Sequence, residues 1–356
     1  MISQFLFRRV EQVLKLVVAF IVLLMVSLPQ TALAAEENKF EGVIAKDPGS
    51  DLWRNIRQRD FAIAGTSQMK APDANILINI SGEAWRQYRM MKLIPRAGIA
   101  ISLALVGMFL FRILHGKLVL AAGRSGKKIL RFTLNQRVAH WSNAILFVTL
   151  ALTGLILMFG RSVLIPVFGA EGFSNIAVVT RTLHNYLGPA FAVSLVFLFA
   201  LFVKGNQISL KRDLEWILKG GGLIGAKHVS ADCYNAGEKG WFWIATLVGG
   251  TIIVSGLVLD FPIFGQTRDT MDFYHVIHSI AAVIMVIASF GHIYMGTIGV
   301  EATFEVMQTG YCDSNWAKEH HDLWYEKKVS AGEEVSADSV RSDTASPVSS
   351  TPEQTS

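Results

Sequence analysis

The chain alternates between long apolar runs and short polar stretches, a pattern that predicts a bundle of membrane-spanning helices. The longest run, residues 274–300, contains no Asp, Glu, Lys or Arg over 27 residues. A helix needs about 20 apolar residues to cross the hydrocarbon core of a bilayer. The runs at 138–160, 182–203 and 240–259 also approach this length. We therefore predict four clear spans.

A fifth span is predicted at 93–114, although its uncharged core, residues 97–111, is short. Arg96 and Arg112 border this core, and their long side chains can reach the two membrane interfaces. The predicted fold class is therefore all-α: a transmembrane helical bundle with five spans.

The two ends of the chain are polar or processed. Residues 1–35 have the basic start, apolar middle and small-residue cleavage motif of a signal peptide. Its removal leaves 36–92 as a periplasmic segment, and an uncleaved signal anchor is the alternative. Residues 301–328 are predicted to be a cytoplasmic segment. Residues 329–356 are rich in Ser, Thr, Pro and Glu and are predicted to be a disordered tail.

The distribution of basic residues predicts the orientation. The stretches 115–137 and 204–239 carry six Lys or Arg each, whereas 161–181 carries two and 260–273 carries one. Basic loops stay in the cytoplasm. We therefore predict a bacterial inner-membrane protein with its N-terminal segment in the periplasm and its C-terminus and the basic loop 115–137 in the cytoplasm. The same loops account for the net charge of +5, so no nucleic-acid partner is predicted.

Composition supports a membrane protein and narrows the chemistry. Half of the residues are hydrophobic (51%), only 17% are charged, and the mean hydropathy is +0.39. A soluble chain carries about 25% charged residues. There are two cysteines, Cys233 and Cys312, and no Cys-x-x-Cys-His motif. Neither a disulfide framework nor a covalently attached haem is therefore indicated.

Four histidines near the ends of the spans form the candidate site. His278 and His292 are 14 residues apart, so they leave nearly the same face of one helix about 21 Å apart along its axis. With the predicted orientation, His184 lies at the depth of His278 and His140 at the depth of His292. Single histidines at span ends are often interfacial residues. Two pairs at matching depths instead predict two bis-histidine haem sites in a four-helix domain at 138–300.

Several neighbouring residues are weaker candidates. Arg137 and Arg181 each precede a ligand histidine by three residues and are either partners for haem propionates or interface anchors. His275 precedes His278 by three residues, which favours a supporting role over a ligand role. Four other histidines are predicted to be solvated: His115, His228, His320 and His321.

The stretches RVAHW, TLHNYLG, CYNAGEK, IHSIAAVIMVIASFGHIYM and WAKEHHDLWY resemble, in order and spacing, the cytochrome b (gamma) subunit of bacterial membrane-bound formate dehydrogenase. The resemblance covers residues 130–328. It implies two b-type haems, held by His184 with His278 on the periplasmic side and by His140 with His292 on the cytoplasmic side. It also implies a quinone pocket at Asn235 and Gly237 beside the cytoplasmic haem.

The same resemblance implies an electron-transfer subunit with no formate-oxidising site of its own. Its partners would be an iron–sulfur (beta) subunit and a molybdenum or tungsten catalytic (alpha) subunit, besides membrane lipid. Its electron acceptor would be menaquinone or ubiquinone. The nearest alternative is the cytochrome b subunit of a nickel–iron hydrogenase or thiosulfate reductase. A proton-coupled transporter with a histidine relay is a remote alternative, because the spans contain no interior Asp or Glu.

Overall fold

The computed structural model describes residues 82–222, 229–263 and 265–340. The predicted signal peptide at 1–35 and most of the predicted periplasmic segment at 36–92 lie outside these described residues. Contacts divide the chain into two compact units. Among the described residues, the first contains those up to Gly98 together with Leu155–Val179 and Val258–Val276. The second contains the described residues of Ile99–Gly154 and Thr180–Leu257 and those from Ile277 onward, and it holds all four candidate ligand histidines.

The described chain is mostly helical, as predicted, and contains a small sheet. A π-helical turn at Arg89–Leu93 joins α1 to α2, and another at Met295–Gly299 extends α7. The helices are α1 (Gly82–Tyr88), α2 (Ile94–His115), α3 (Leu134–Val163), α4 (Ile165–Phe202), α5 (Leu210–Leu218), α6 (Ala236–Asp260), α7 (Arg268–Tyr294), α8 (Thr303–Thr309), α9 (Ser314–His320) and α10 (Asp322–Ser330). The strands are β1 (Lys127–Leu130), β2 (Tyr311–Asp313) and β3 (Glu334–Ser336).

Five helical segments are long and apolar enough to cross a membrane, which confirms the predicted number. They are Gly82–His115, Leu134–Val163, Ile165–Phe202, Ala236–Asp260 and Arg268–Gly299. Their outer surfaces are strongly apolar. Leu103, Phe109, Val196 and Leu247 each expose more than half of their surface, and such side chains suit contact with lipid rather than water.

Two of these segments begin well before the apolar runs. The first begins at Gly82, where the Glu83 carboxylate accepts hydrogen bonds from Arg86 on the same helix. The third segment, helix α4, begins at Ile165 and breaks at Gly169, whose φ of 71° lies in the left-handed region that favours glycine. Polar helical turns are stabilised by pairs three or four residues apart, and an apolar run alone cannot reveal them.

The sheet corrects the prediction of a disordered tail from residue 329. The strands have the antiparallel order β2-β1-β3, with the fully buried Ile129 opposite Cys312 on one side and Glu334 on the other. Lys127 Nζ also lies 2.7 Å from Glu334 Oε2. Strands β1 and β3 are about two hundred residues apart in the sequence. Their pairing depends on tertiary context, so local composition does not predict it. Residues 341–356 lie outside the described part.

Arg131 is the charged centre of the core that surrounds the sheet. Its guanidinium lies over the rings of Phe132, Tyr234 and Trp316, at 5.1, 5.4 and 4.8 Å from their centres. It also donates to the Glu238 carboxylate at 3.0 Å. The side chain is only 2% exposed. A buried charge must be paired, so this ion pair fixes the start of α6 against the core.

His321 is fully buried in the same core, so the prediction that it is solvated is wrong. Its Nδ1–H donates to the Asp232 carbonyl at 2.8 Å. Burial, reinforced by the nearby Arg131 charge, lowers the pKa of His321 to about 3. The ring is therefore neutral at pH 7 and forms no ion pair with Glu238, although its Nε2 lies 3.6 Å from that carboxylate.

The burial of His321 could not be predicted from the sequence, because two adjacent histidines in a polar stretch show no periodicity that distinguishes a buried position from an exposed one. His320 is half-buried, His115 is exposed as predicted, and His228 lies outside the described residues.

The buried neutral His321 predicts that stability falls in acid. Below pH ~6.5 an unfolded histidine binds a proton that the folded ring does not, so the unfolded state is favoured increasingly as the pH falls towards 3. The contribution is at most about 1.4 kcal/mol per pH unit. We expect His321→Gln to flatten the decrease of the melting temperature between pH 7 and 5. The exposed His115→Gln variant is the control and should follow the wild type. Parallel curves for all three proteins would contradict the assignment.

Candidate metal-binding site

The structure brings the four candidate histidines together in the two predicted pairs. The ring centres of His184 on α4 and His278 on α7 are 6.2 Å apart. Those of His140 on α3 and His292 on α7 are 6.1 Å apart. Helix α7 therefore contributes one histidine to each pair, and its partners come from two different helices.

This spacing fits one metal ion between each pair of rings. Imidazole nitrogens bind transition metals at about 2 Å, which places the ring centres of two opposite imidazoles about 6 Å apart. Within the described residues, His, Cys, Asp and Glu form no group of three that could hold a metal ion. A site with two protein ligands suits a metal whose remaining ligands come from a macrocycle, as in haem.

Hydrogen bonds assign the tautomers of His184 and His278. The Thr153 hydroxyl donates to carbonyls of its own helix, so it accepts from His184 Nδ1 at 2.8 Å. His278 Nδ1 lies 3.1 Å from the Ile252 carbonyl, which can only accept, and 3.1 Å from the Ser255 hydroxyl. Both Nδ1 atoms therefore carry the proton, and the lone pair that can coordinate a metal is at Nε2.

Glycines allow the same two rings to pack closely against neighbouring helices. A Cβ atom at Gly154 would lie 3.3 Å from His184 Cε1, and one at Gly256 would lie 3.1 Å from His278 Cε1. Each glycine directly follows the residue whose hydroxyl bonds the ring. Thr153-Gly154 on α3 and Ser255-Gly256 on α6 are thus two copies of one arrangement.

The His140–His292 pair has different surroundings. The His292 ring stacks on Trp241 of α6, with 4.4 Å between ring centres and 9° between planes. His140 Nδ1 is buried and has no hydrogen-bond partner among the described residues. This pair is thus held mainly by ring packing.

The two candidate arginines differ in their contacts. Arg137 donates to the Gln308 carbonyl at 2.8 Å, and its buried Nε has no partner within the described part of the chain. Arg181 is exposed. His275 is not part of a pair with another histidine, and its ring stacks on Trp85 at 6.0 Å. A role with propionates remains a prediction for all three residues.

Asn235 and Gly237 lie at the start of α6 and have structural roles. The Asn235 side-chain oxygen accepts from the Glu238 N–H, and the Glu238 carboxylate accepts from the Asn235 N–H, both at 3.0 Å. This reciprocal arrangement is a capping box. A Cβ at Gly237 would lie 3.0 Å from Trp216, so the glycine allows α5 to approach. Asn235 also lines a small surface cleft with Tyr234 and Lys239.

Thr153, Ser255, Gly154 and Gly256 contact the candidate ligands but were not predicted from the sequence. The sequence does contain a shared pattern. Thr153-Gly154 and Ser255-Gly256 each lie in an apolar span, each follows a threonine four residues before its hydroxyl residue, and each is followed by leucine. The pattern becomes informative only when the opposing histidines are known.

Two depth-separated histidine pairs inside a bundle of apolar helices define a membrane-bound b-type cytochrome. The chain belongs to the prokaryotic cytochrome b561 family, which matches residues 131–310. That region contains all four histidines of the two pairs.

The chain is also similar to cytochrome subunits of bacterial formate dehydrogenases. The chain is 32% identical over 205 residues to the cytochrome b556(Fdn) subunit of the nitrate-inducible formate dehydrogenase of Escherichia coli K12, covering 56% of this chain and 91% of the relative. The cytochrome b556(fdo) subunit of formate dehydrogenase from the same strain is 29% identical, with 55% and 92% covered. The Haemophilus influenzae formate dehydrogenase cytochrome b556 subunit is 26% identical, with 57% and 84% covered. The chain is thus a homologue of these subunits.

The packing of Gly256 against His278 predicts that even a methyl group disturbs this pair. We expect Gly256→Ala to displace the ring and to weaken haem retention about tenfold. Gly250→Ala on the same helix is the control, because a Cβ there meets nothing within 4 Å. Haem per polypeptide, measured after purification and dilution, distinguishes the two. Equal retention in both variants would contradict close packing of ring and glycine.

Proposed function

We propose that this chain is the membrane-anchoring, di-haem cytochrome b subunit of a formate dehydrogenase complex, linking a periplasmic iron–sulfur subunit to membrane quinone. The observation that carries the proposal is the presence of two histidine pairs, with His292 fourteen positions after His278 on one helix. That separation corresponds to about 21 Å, so the pairs lie towards opposite faces of a bilayer. When bound, two haems would supply one-electron carriers at those positions.

The residues themselves supply ligands, orientation and exclusion of water. Nε2 of His184 and His278 is the coordinating atom, because Nδ1 of both rings donates to hydroxyl or carbonyl oxygens. His292 is orientated by stacking on Trp241. Arg137 and Arg181 are the proposed partners of haem propionates at the two levels. Apolar helices around the pairs keep water from the ligands.

The proposed orientation follows from charge. The two stretches with six basic residues each, 115–137 and 204–239, would face the cytoplasm. The His140–His292 pair then lies on the cytoplasmic side and the His184–His278 pair on the periplasmic side. The proposed location is the bacterial inner membrane.

The identity of the partners rests on the relatives, whose names are those of formate dehydrogenase subunits. Formate oxidation is assigned to a separate molybdenum or tungsten subunit, and the iron–sulfur subunit connects it to this chain. A nickel–iron hydrogenase or thiosulfate reductase cytochrome b remains the alternative within the family.

We place the quinone site beside the His140–His292 pair, at the start of α6. Asn235 precedes Trp241, the stacking partner of His292, by six residues, or about 9 Å along the helix. The Asn235 side-chain oxygen is occupied by the cap. Its amide N–H group is therefore what it can offer to a quinone carbonyl. Gly237, against which Trp216 packs, is the second residue proposed for this pocket. Menaquinone and ubiquinone both present such a carbonyl.

Loss of one ligand should remove one haem. We expect His278→Ala in the assembled complex to lower haem from about two to about one per chain and to abolish formate-driven quinone reduction, because a bis-histidine site needs both rings. His115→Ala, which removes an exposed histidine outside the two pairs, is the control and should keep both haems. Acidified acetone should extract all haem, as no covalent attachment motif exists. Unchanged haem in His278→Ala would contradict the proposal.

Variants of Asn235 can separate its cap from its proposed contact with quinone. Serine and aspartate are good N-caps, so Asn235→Ser should fold with full haem while losing the amide donor. We expect quinone reduction about tenfold slower, as for a hydrogen bond of about 1–3 kcal/mol left unmade. Asn235→Ala should show the same rate and a lower melting temperature. A wild-type rate in Asn235→Ser would leave Asn235 as a cap only.

A further inference from the structure

Thr153 and Ser255 bring a hydroxyl oxygen to Nδ1 of His184 and His278, at 2.8 and 3.1 Å. We propose that these hydroxyls are positioning groups that set the tautomer, rotation and basicity of this histidine pair, and thereby the reduction potential of the haem it holds. The inference rests on the proposed haem site and names the residues that tune it.

The direction of the hydrogen bonds supports this role. The Thr153 hydroxyl hydrogen is directed to the Thr149 and Leu150 carbonyls, at 2.9 and 3.0 Å. The Ser255 hydroxyl donates to the Thr251 carbonyl at 2.6 Å. Each hydroxyl therefore accepts from its imidazole, in a carbonyl–hydroxyl–imidazole relay, and at His278 the Ile252 carbonyl shares the imidazole N–H at 3.1 Å. Linked hydrogen bonds of this kind polarise one another, which increases the electron density of the ring.

Both hydroxyls of the relay are shielded from water, and the residues around them have the same arrangement on the two helices. Thr153 is 7% exposed and Ser255 is 1% exposed, so water does not compete for the imidazole N–H. Gly154 and Gly256 follow them in sequence and allow Cε1 of each ring to approach the helix backbone. The same device occurs on both sides of one pair, from helices α3 and α6.

The relay predicts which of the two proposed haem sites has the lower reduction potential. An acceptor at Nδ1 makes an imidazole a more basic metal ligand, which favours the more positively charged, oxidised iron and lowers the reduction potential. His140 Nδ1 has no such acceptor among the described residues. The His184–His278 site should thus have the lower potential, so that electrons pass spontaneously from it towards the His140–His292 site.

The test is a redox titration of the purified full-length chain carrying Thr153→Val or Ser255→Ala. We expect the lower of the two midpoint potentials to rise and the higher one to stay constant. A tenfold change of the oxidised-to-reduced equilibrium corresponds to ~59 mV for one electron. The low-spin electron paramagnetic resonance signal of that haem should shift as well, since ring rotation and basicity both affect it.

Matched controls are available one helical turn away. Thr149 and Thr251 donate to carbonyls of their own helices, at 2.8 and 2.9 Å, so Thr149→Val and Thr251→Val should leave both potentials unchanged. The exchanges Thr153→Ser and Ser255→Thr keep a hydroxyl and should restore the wild-type potential. If Thr153→Val loses its haem, Thr153→Ser decides, because retained haem at the wild-type potential supports the role of the hydroxyl.

Two results would overturn the inference. One is an unchanged lower potential in both Thr153→Val and Ser255→Ala with full haem content. The other is an equal shift in the hydroxyl-retaining exchanges, which would indicate packing alone. A wild-type chain that binds no haem would instead refute the proposed function itself, so the two failures can be told apart.

Discussion

A neutral imidazole inside a membrane has one N–H group and one nitrogen lone pair, and neither can be left without a partner at low cost. The helical bundle provides for both. At the His184–His278 pair, hydroxyl and carbonyl oxygens accept the N–H groups, and the facing rings leave the space that one metal ion requires. Helix positions, small residues and buried hydroxyls around the pair follow from this single constraint.

A second centre, the buried charge of Arg131, stabilises the core around the small sheet. Arg131 lies among three aromatic rings and pairs with Glu238, and Glu238 also closes the capping box with Asn235. The start of α6 is therefore bound to the sheet core through one carboxylate. Helix α6 also contains Trp241 and Ser255, which contact His292 and His278. Fixing the start of α6 against the core therefore also fixes these two contacts.

Apolar length, basic loops and histidine spacing were sufficient to predict the number of spans and the pairing of histidines. These properties are local or have a simple period, so the linear chain displays them. The burial of His321, the strand β3 and the hydroxyl contacts of Thr153 and Ser255 were not predictable in this way. Each depends on a partner more than 20 residues away, and a lone threonine in an apolar span is as compatible with an internal helix bond as with a role at a ligand.

Asn235 illustrates a different limit. A family resemblance assigned it to a quinone pocket, while the structure gives its side-chain oxygen a complete role as a helix cap. Both assignments can hold only if the side-chain oxygen of Asn235 binds the Glu238 N–H while its side-chain nitrogen binds the quinone. A short polar side chain can thus serve stability and binding at once, and truncation to alanine confounds the two.

The contacts between α6 and α7 explain how one helix contributes to both histidine pairs. His278, near the start of α7, meets Ser255 near the end of α6, and His292 meets Trp241 near the start of α6. The two helices are therefore antiparallel, and both contacts have the same register, since 14 residues separate the members on each helix. Fourteen residues are nearly four helical turns, so a single face of α6 supports both rings. A hydroxyl at one contact and an aromatic plane at the other then give two otherwise equivalent imidazoles different electronic surroundings, and this asymmetry would give the proposed electron transfer its direction.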